Sequence, residues 1–450
     1  MSYLKDKEYY RQLLSLTIPI ALTNLISSML NFIDTIMLGN VGTVAVSSVG
    51  IANQIFFLLY LFVFGICNGS SIIIAQMWGA RKMDTIYKTL GLSLMLCAGV
   101  SIAFTVLAVA FPELAMRIYT NDPEVIAAGA DYLKIVGLTY LLNAICFAYY
   151  TALRTVERPV MPLVISGISL GINSVLNYLL IFGVGPFPVL GVEGAAVATA
   201  IARIFEFVVL SVILLKGDNI FSVGIKSLFG WTGGYIKKYF KIVFPVILNE
   251  GLWGVGTSVF TMIYGRMDTS IVAATNMASS VEKVLTVFGM GISSATSIMI
   301  GKKLGEEKPE LAYTYSIRSA KISAGSGIVF GLAFIAMIPL LKAVTNFPPL
   351  VDTYLTQAVL ILGITLAVKT FNFTNIVGIL RSGGDTRFTM FLDLGTLWLF
   401  GVPVTFLTGL VFHFPFYLVM ICMVLEEWGK MIVGIVRLRS KKWIKSITHV

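Results

Sequence analysis

The sequence predicts an all-α membrane protein with twelve transmembrane helices, arranged as two six-helix bundles related by a parallel pseudo-two-fold repeat. Three observations indicate this fold. Hydrophobic residues make up 57% of the 450 residues and charged residues only 12%, whereas soluble domains average about 25% charged. Apolar runs of bilayer-spanning length recur along the whole chain. Finally, the first half of the chain resembles the second.

The internal repeat pairs residues 18–79 with residues 244–305 without a gap. These segments share 15 identities in 62 aligned pairs, whereas unrelated segments of this composition would share roughly five. The identities include the pairs Pro19/Pro245, Gly39/Gly265, Gly65/Gly291 and Gly79/Gly305. We therefore interpret the chain as two copies of one unit.

The two copies differ in their charges. Asp34 of the first copy corresponds to Phe260 of the second, and Glu250 of the second corresponds to Asn24 of the first. Each copy is thus expected to hold its own acid at its own depth.

The spanning runs lie at about 12–37, 45–75, 88–111, 126–150, 160–183, 192–215, 239–263, 270–300, 319–341, 353–379, 388–411 and 415–436. Only helices or closed barrels satisfy the backbone in hydrocarbon, and runs of this length exclude barrel strands. We predict an N-terminal bundle at 1–215, a cytoplasmic linker at 216–238, and a C-terminal bundle with a basic cytoplasmic tail at 239–450.

The distribution of basic residues predicts the orientation. Of the 33 Lys and Arg residues, 25 lie at one set of helix ends, four at the other set and four within the spans. Basic ends remain in the cytoplasm, so both termini are expected there, in a multi-pass protein of the cell membrane. Six spans per half make the two repeats parallel. Topology thus explains the net charge of +10, and we expect a lipid bilayer rather than nucleic acid as the environment.

Several classes of chemistry are disfavoured. The four cysteines lie in apolar runs and there are two histidines, which fits neither a disulfide framework nor a metal cluster. The sequence has no phosphate-binding loop, nucleotide fingerprint or catalytic triad. We therefore expect no enzyme and no cofactor, so uphill transport would need an ion gradient.

Ionisable residues within the spans are functional candidates because membrane burial of a charge is costly. They are Asp34, Arg203, Glu206, Glu250, Glu282, Lys283, Lys369, Asp393, Glu426, Glu427 and Lys430.

Asp34 is either an interfacial carboxylate or a buried one that faces a cavity. A polar stripe of Asn24, Ser27 and Asn31 on the same helix favours the cavity. On the fifth span, Asn173 and Asn177 share a face, where their amides could bind a hard cation or a carboxylate, or hydrogen-bond between helices.

Glu250 has no basic residue within one helical turn. It is interpreted either as a proton or cation site or as the partner of Lys283 or Lys369. Intrahelical pairs are expected for Arg203 with Glu206, and for Glu426 or Glu427 with Lys430. Glu282 and Lys283 are expected to have different partners, and Lys369 needs a partner or a wet cavity.

Four segments together resemble the multidrug and toxin extrusion (MATE) family: IPIALTNLISSMLNFIDTIMLGNVG at 18–42, AQMWGARKMD at 75–84, NSVLNYLLIFG at 173–183 with GVEGAAVAT at 191–199, and GILRSGGDTRF at 378–388. The resemblance covers essentially the whole chain. It implies a monomeric antiporter that expels amphipathic, mostly cationic drugs in exchange for Na+ or H+, with two bundles that open alternately to each side.

The resemblance also implies coupling or substrate-binding residues. Asp34, Asn173 and Thr199 match the family's N-lobe cation site, and Asn177 stands where some relatives have a second aspartate. Glu250 matches the C-lobe glutamate of the norfloxacin-resistance type, whose companion aspartate in the tenth span is absent here. Na+ could bind at either place. The candidate cavity residues are Asn24, Asn31, Glu282, Lys283, Lys369 and Asn372. One functional acid per half is the resulting hypothesis.

Two alternatives remain open at this stage. The first is a flippase for lipid-linked oligosaccharide or cell-wall precursors, which usually has more basic residues in its cavity to hold pyrophosphate. The ionisable candidates named above comprise four basic and seven acidic residues, which suits cations better. The second alternative is a channel or a non-transporting scaffold.

Overall fold

The computed structural model describes residues 2–217, 219–345 and 347–447, and within these it does not describe the side chains of residues 2–6 and 30–32. The regular elements of the described residues are all helical. The α-helices are α1 Ser2–Gly39, α2 Thr43–Gly79, α3 Met83–Ala110, α4 Pro112–Arg117, α5 Pro123–Gly137, α6 Tyr140–Thr155, α7 Val160–Phe182, α8 Gly191–Leu215, α9 Gly233–Met267, α10 Thr269–Gly305, α11 Pro309–Ala336, α12 Ile338–Thr345, α13 Pro349–Phe373, α14 Thr386–Thr396, α15 Val402–Phe406 and α16 Phe416–Arg439.

Shorter helical segments extend some of these elements. A 3₁₀ turn covers Ile225–Leu228, and π-helical segments cover Thr374–Leu380, Leu397–Gly401 and Leu407–Val411. The π-helical segments continue α13, α14 and α15, so that Pro349–Leu380 and Thr386–Val411 each form one spanning element.

Every predicted span coincides with a helix, and the predicted all-α membrane fold is confirmed. Ten helices of the described residues are long and apolar enough to cross a bilayer. The pair α5 and α6, bent by 52°, meets the same criterion together. The remaining predicted span, 415–436, is α16, which contains Glu426, Glu427 and Lys430 and is therefore less apolar.

The chain packs into two units. The N-terminal unit comprises Leu22–Ile74 and Lys82–Tyr239, and the C-terminal unit comprises Met1–Ala21, Ala75–Arg81 and Phe240–Val450. The start of α1 and the C-terminal end of α2 therefore pack with the second half of the chain. The bundle limits expected from sequence stay a prediction.

The connecting segment at 216–238 lies against α3 within the N-terminal unit. The indole of Trp231 donates to the carbonyl of Lys88 at 2.9 Å, and the Tyr87 hydroxyl donates to the carbonyl of Ile220 at 3.0 Å. A Cβ atom at Gly91 would lie 1.9 Å from the Leu228 carbonyl oxygen, so only glycine permits this approach. The helix α9 begins inside the segment, at Gly233.

In the C-terminal unit, the repeat-equivalent ends of α2 and α10 cross each other. A Cβ at Gly79 would lie 2.0 Å from the Lys302 carbonyl oxygen, and a Cβ at Gly305 would lie 1.9 Å from that of Gln76. Because neither glycine has a side chain, the two backbones touch directly. The two glycines that the repeats have in common thus form the contact between α2 and α10.

The basic C-terminal tail folds back onto the C-terminal unit. Trp443 is fully buried, and its backbone carbonyl lies so close to Gly383 that a Cβ there would approach it to 2.3 Å. The amide of Lys445 donates to the Gly383 carbonyl at 2.9 Å. Gln76 completes the contact by donating to the Ser382 carbonyl at 2.9 Å.

Candidate functional site

The structure brings together the four polar residues predicted for the N-terminal half. Asn177 donates its amide N–H to Asp34 Oδ1 and also to Asn173 Oδ1, the latter at 3.1 Å. Asn173 in turn donates to Thr199 Oγ1 at 3.4 Å. Asp34 is 6% exposed and both asparagines are fully buried. We call these four residues the Asp34 cluster.

The Asp34 cluster depends on close packing between α7 and α8. A Cβ at Gly194 would lie 2.6 Å from the Leu180 carbonyl oxygen, so the glycine allows the two helices to approach. Ser169 on α7 donates to the Ala202 carbonyl on α8 at 3.2 Å. With the helices fixed in this register, Thr199 faces Asn173, and Asn173 and Asn177 present one polar face to α1.

The Asp34 cluster has the chemistry of a small, hard cation site or of a proton site. Its acceptors are a carboxylate, two amide oxygens and a hydroxyl, the oxygen donors that hard cations prefer. Asn177 Oδ1 is buried and has no hydrogen-bond partner among the described residues. A buried acceptor without a donor is costly, and a bound cation would relieve that cost.

A charged pair extends the Asp34 cluster along α8. Arg203 Nη1 lies 3.1 Å from Glu206 Oε2, which confirms the expected intrahelical pair. With the Asn143 amide oriented so that its oxygen faces Arg203, it accepts from Nε at 3.1 Å and from Nη1 at 3.3 Å. Arg203 also lies within electrostatic range of Asp34.

The polar stripe that accompanies Asp34 on α1, which comprises Asn24, Ser27 and Asn31, is not part of the Asp34 cluster. Asn24 is half-buried, and Ser28 donates to its backbone carbonyl at 3.0 Å. The side chain of Asn31 lies outside the described part of the chain. Asp34 itself is buried, so its interpretation as an interfacial carboxylate is wrong for this structure.

Glu250 in the C-terminal unit forms an ion pair that the sequence did not predict. Its Oε1 lies 2.7 Å from Arg381 Nη1, and the two side chains are 12% and 3% exposed. The suggested partners Lys283 and Lys369 are therefore wrong. From its place in the sequence, Arg381 is one of the 25 basic residues assigned to the cytoplasmic helix ends. In the structure it follows the π-helical segment Thr374–Leu380, and its side chain is buried inside the unit.

A second set of buried charges surrounds Lys430 on α16. Its Nζ lies 3.0 Å from Asp393 Oδ1, 3.2 Å from Glu427 Oε1 and 3.5 Å from Glu426 Oε1. This confirms the expected intrahelical pairing and adds Asp393 from α14. Asn249, the neighbour of Glu250 in sequence, donates to Asp393 Oδ2 at 2.9 Å.

The other candidate cavity residues divide between paired and exposed positions. Lys369 Nζ lies 2.6 Å from Glu282 Oε1. Asn372 donates to Glu427 Oε2 at 2.8 Å. Lys283 is exposed, so it and its neighbour Glu282 do point to different surroundings, as expected.

The hypothesis of one functional acid per half stays a prediction, and Glu250 is one of several acids that lie beside basic side chains in the C-terminal unit. Five carboxylates are interleaved there with three basic side chains. The carboxylates are Glu250, Glu282, Asp393, Glu426 and Glu427, and the basic residues are Lys369, Arg381 and Lys430. An acid excess of two remains if all eight are ionised.

Sequence reasoning missed Arg381 and the link from Asn249 to Asp393. One signal was present for Arg381, since Gly378-Ile-Leu-Arg381 matches Thr151-Ala-Leu-Arg154 at an offset of 227. Arg154 lies within α6, and Arg381 directly follows the π-helical segment Thr374–Leu380. No local pattern indicated the Asn249–Asp393 bond, because it joins residues 144 positions apart.

Comparisons with known proteins agree with the repeat and the fold. The sequence profile of the MatE family matches residues 19–179 and 245–407, which begin at the repeat-equivalent Pro19 and Pro245. The chain is 25% identical over 448 residues to the uncharacterized transporter YisQ of Bacillus subtilis, covering 98% of this chain and 96% of that protein. It is 24% identical over 401 residues to the probable multidrug resistance protein NorM of Thermotoga maritima, covering 89% and 85%.

Solved structures are similar over nearly the full length. A crystal structure of MATE in complex with MaL6 superposes with a TM-score of 0.86 at 17% identity, covering 96% of this chain and 97% of that one. An outward-facing multidrug resistance MATE family transporter of the MOP superfamily superposes with a TM-score of 0.85 at 18% identity, with the same coverage. At this identity the likeness establishes the fold alone.

Proposed function

Because the chain belongs to the MatE family, whose members are transporters rather than enzymes, we propose that it is a secondary active multidrug exporter of the cell membrane. It exports amphipathic, mostly cationic organic compounds in exchange for Na+ or H+ by alternating access. The observation that carries this proposal is the Asp34 cluster, a buried carboxylate surrounded by oxygen acceptors, one of which has no donor.

The energetics of burial explain why such a cluster suits an exchanged ion. An ionised carboxylate out of water is expensive unless a positive charge or a proton compensates it. Asn177 contributes an N–H to Asp34 but no charge. Loading of Na+ or H+ and its release thus change the charge of the cluster by one unit, which can be linked to a conformational change.

The C-terminal unit supports a cationic substrate. In the set of eight charged side chains described above, five carboxylates face three basic groups. Glu426 Oε2 and Asn249 Oδ1 are also buried acceptors without a partner among the described residues. These oxygen atoms could therefore bind a positive charge, carried either by a drug or by a second coupling ion.

The flippase alternative gains no support from these contacts. Each of Arg203, Lys369, Arg381 and Lys430 is already within 3.1 Å of a carboxylate oxygen. A pyrophosphate group would have to displace those carboxylates. An organic cation needs no such displacement.

Efflux from proteoliposomes tests the proposed exchange. Vesicles loaded with ethidium receive a Na+ gradient or a proton gradient alone, and gradient-driven efflux is followed by fluorescence. We expect one gradient to drive efflux and Asp34→Asn to abolish this dependence. The control is Asp131→Asn, since Asp131 forms an exposed pair with Lys134 at 3.0 Å on the same unit.

Glu250 is tested in the same vesicles together with its partner. Glu250→Gln is combined with Arg381→Gln so that no buried charge is left unpaired. We expect reduced efflux from this double variant. Unchanged efflux from both Asp34→Asn and the double variant would refute the proposal, and an ethidium leak without any gradient would indicate a channel.

A further inference from the structure

A second buried acid of the N-terminal unit lies on α8, the helix that supplies Thr199 to the Asp34 cluster. Glu206 is 4% exposed and follows Thr199 by two turns of α8, so the two residues share a face of the helix. Arg203 lies on that face between them. The N-terminal unit thus holds two buried carboxylates, Asp34 on α1 and Glu206 on α8, and the guanidinium of Arg203 on α8.

Arg203 is placed to serve either carboxylate. It is bonded to Glu206 at 3.1 Å and held from the other side by the Asn143 oxygen. It also follows Thr199 by one turn of α8, which places it on the same helix face as that member of the Asp34 cluster. The guanidinium is always charged and offers five N–H donors in a planar fork, so it can exchange one carboxylate for another without losing its hydrogen bonds. Its side chain is 23% exposed, which leaves room for the movement.

We propose that Arg203 is a positioning residue of the coupling site, which stays on Glu206 while Asp34 carries its ion and shifts toward Asp34 when that ion is released. The inference rests on the proposed function, because it requires an exchanged ion at Asp34. The guanidinium then competes with the ion for one carboxylate. Competition lowers the affinity of Asp34 for the ion and speeds its release.

The surroundings leave Asp34 and Glu206 as the acids that such competition can affect. The other titratable side chains around Asp34, Arg203 and Glu206 are Tyr132 on α5, and Cys146 and Tyr150 on α6. A second guanidinium, that of Arg154 on α6, lies on the side of Tyr150. Tyrosine and cysteine are neutral at pH 7 in their ordinary state. Asn173, Asn177 and Thr199 do not titrate. One positive charge is thus shared between two negative ones.

The test measures the concentration of coupling ion that gives half-maximal ethidium efflux, together with the maximal rate, under the gradient that drives the wild type. Arg203→Gln removes the competitor, so we expect the half-maximal concentration to fall and the maximal rate to drop. Glu206→Gln leaves Asp34 as the remaining partner of Arg203, so the half-maximal concentration should rise. Each shift should be roughly tenfold, the effect that one nearby opposite charge has on a carboxylate's affinity for a proton.

Three further variants make the outcome decisive. Arg203→Lys keeps the charge and should retain most of the wild-type ion dependence. Lys134→Gln breaks an exposed pair of the same i, i+3 spacing and should change nothing. Thermal unfolding of every variant separates misfolding from an altered ion dependence, and Glu206→Gln carries the test if Arg203→Gln does not fold.

The possible failures are distinguishable. If Asp34→Asn leaves gradient-driven efflux intact, Asp34 is not the coupling site and the inference is overturned. The proposed function is then refuted as well only if the Glu250→Gln/Arg381→Gln double variant also leaves efflux unchanged. If Asp34→Asn abolishes efflux while Arg203→Gln and Glu206→Gln keep the wild-type ion dependence, only the inference is overturned. Shifts of the two variants in the same direction would also overturn it, because competition requires opposite directions.

Discussion

The Glu250–Arg381 pair provides a prediction about a single contact. Both side chains are buried, and the oxygen and nitrogen lie 2.7 Å apart. Glu250→Gln or Arg381→Gln alone leaves one buried charge uncompensated, which costs about 3–5 kcal/mol. We expect each single variant to lower the thermal unfolding midpoint in detergent, whereas the double variant should recover much of the loss.

The appropriate control for that pair is the exposed ion pair of Glu310 with Lys441 at 2.9 Å. Glu310→Gln should leave the midpoint nearly unchanged, because exposed pairs contribute only about 0–1 kcal/mol. The double variant could instead lower the unfolding midpoint by as much as the two single variants added together. That result would show that the two charges do not stabilise each other.

The crossing of α2 and α10 carries a prediction at the level of the element. Gly79→Ala would place a Cβ 2.0 Å from the Lys302 carbonyl oxygen, and backbone atoms cannot move aside cheaply. Overpacking of this kind costs about 1–3 kcal/mol. We expect Gly79→Ala and its repeat equivalent Gly305→Ala to lower the unfolding midpoint and the yield of monodisperse protein.

Gly99 on α3 is the matched control for the helix crossing, because a Cβ there would meet nothing within 4 Å. Gly99→Ala should be neutral or slightly stabilising, by up to about 1 kcal/mol, since alanine favours the helix. If all three substitutions behave alike, the direct backbone contact does not contribute to the stability of the C-terminal unit.

The helices were predictable from the sequence because each apolar run has to span a bilayer, and length and hydropathy determine that. Their ends were less predictable. The second and eighth runs were expected at 45–75 and 270–300, whereas α2 and α10 continue to Gly79 and Gly305. The extra turn of α10 is rich in lysine, that of α2 mixes polar and apolar side chains, and the two turns contact each other through Gly79 and Gly305. A hydropathy pattern contains no information on such contacts.

The candidate site was predictable to the same limited extent. The members of the Asp34 cluster could be named because Asn173 and Asn177 lie one turn apart and because the family resemblance supplied Asp34 and Thr199. The partner of Glu250 could not, because Arg381 is 131 residues away and lies just beyond an apolar run. A count of basic residues at helix ends assigns such an arginine to the cytoplasm, whereas its side chain extends inward.

For the whole molecule, the transmembrane topology depends on whether α16 crosses the bilayer. Twelve spans would place both termini on one side, and the 25 basic residues at that set of helix ends predict that this side is the cytoplasm. The helix α16 contains three ionisable residues near its centre. However, Lys430 is bonded to Glu426, Glu427 and Asp393, so the positive charge of Lys430 is compensated inside the unit, which lowers the cost of inserting α16.

Reporter fusions test that topology directly. Alkaline phosphatase is active only outside the cytoplasm. Green fluorescent protein becomes fluorescent in the cytoplasm but not after export in an unfolded state. We expect phosphatase activity from insertions at Asn121 and His413, which lie in the turns after α4 and before α16. A C-terminal fusion should be fluorescent and lack phosphatase activity. Phosphatase activity at both His413 and the C-terminus would mean that α16 does not cross the membrane. The buried charges around Lys430 would then lie at the membrane surface, and they could not contribute to a cation site at membrane depth.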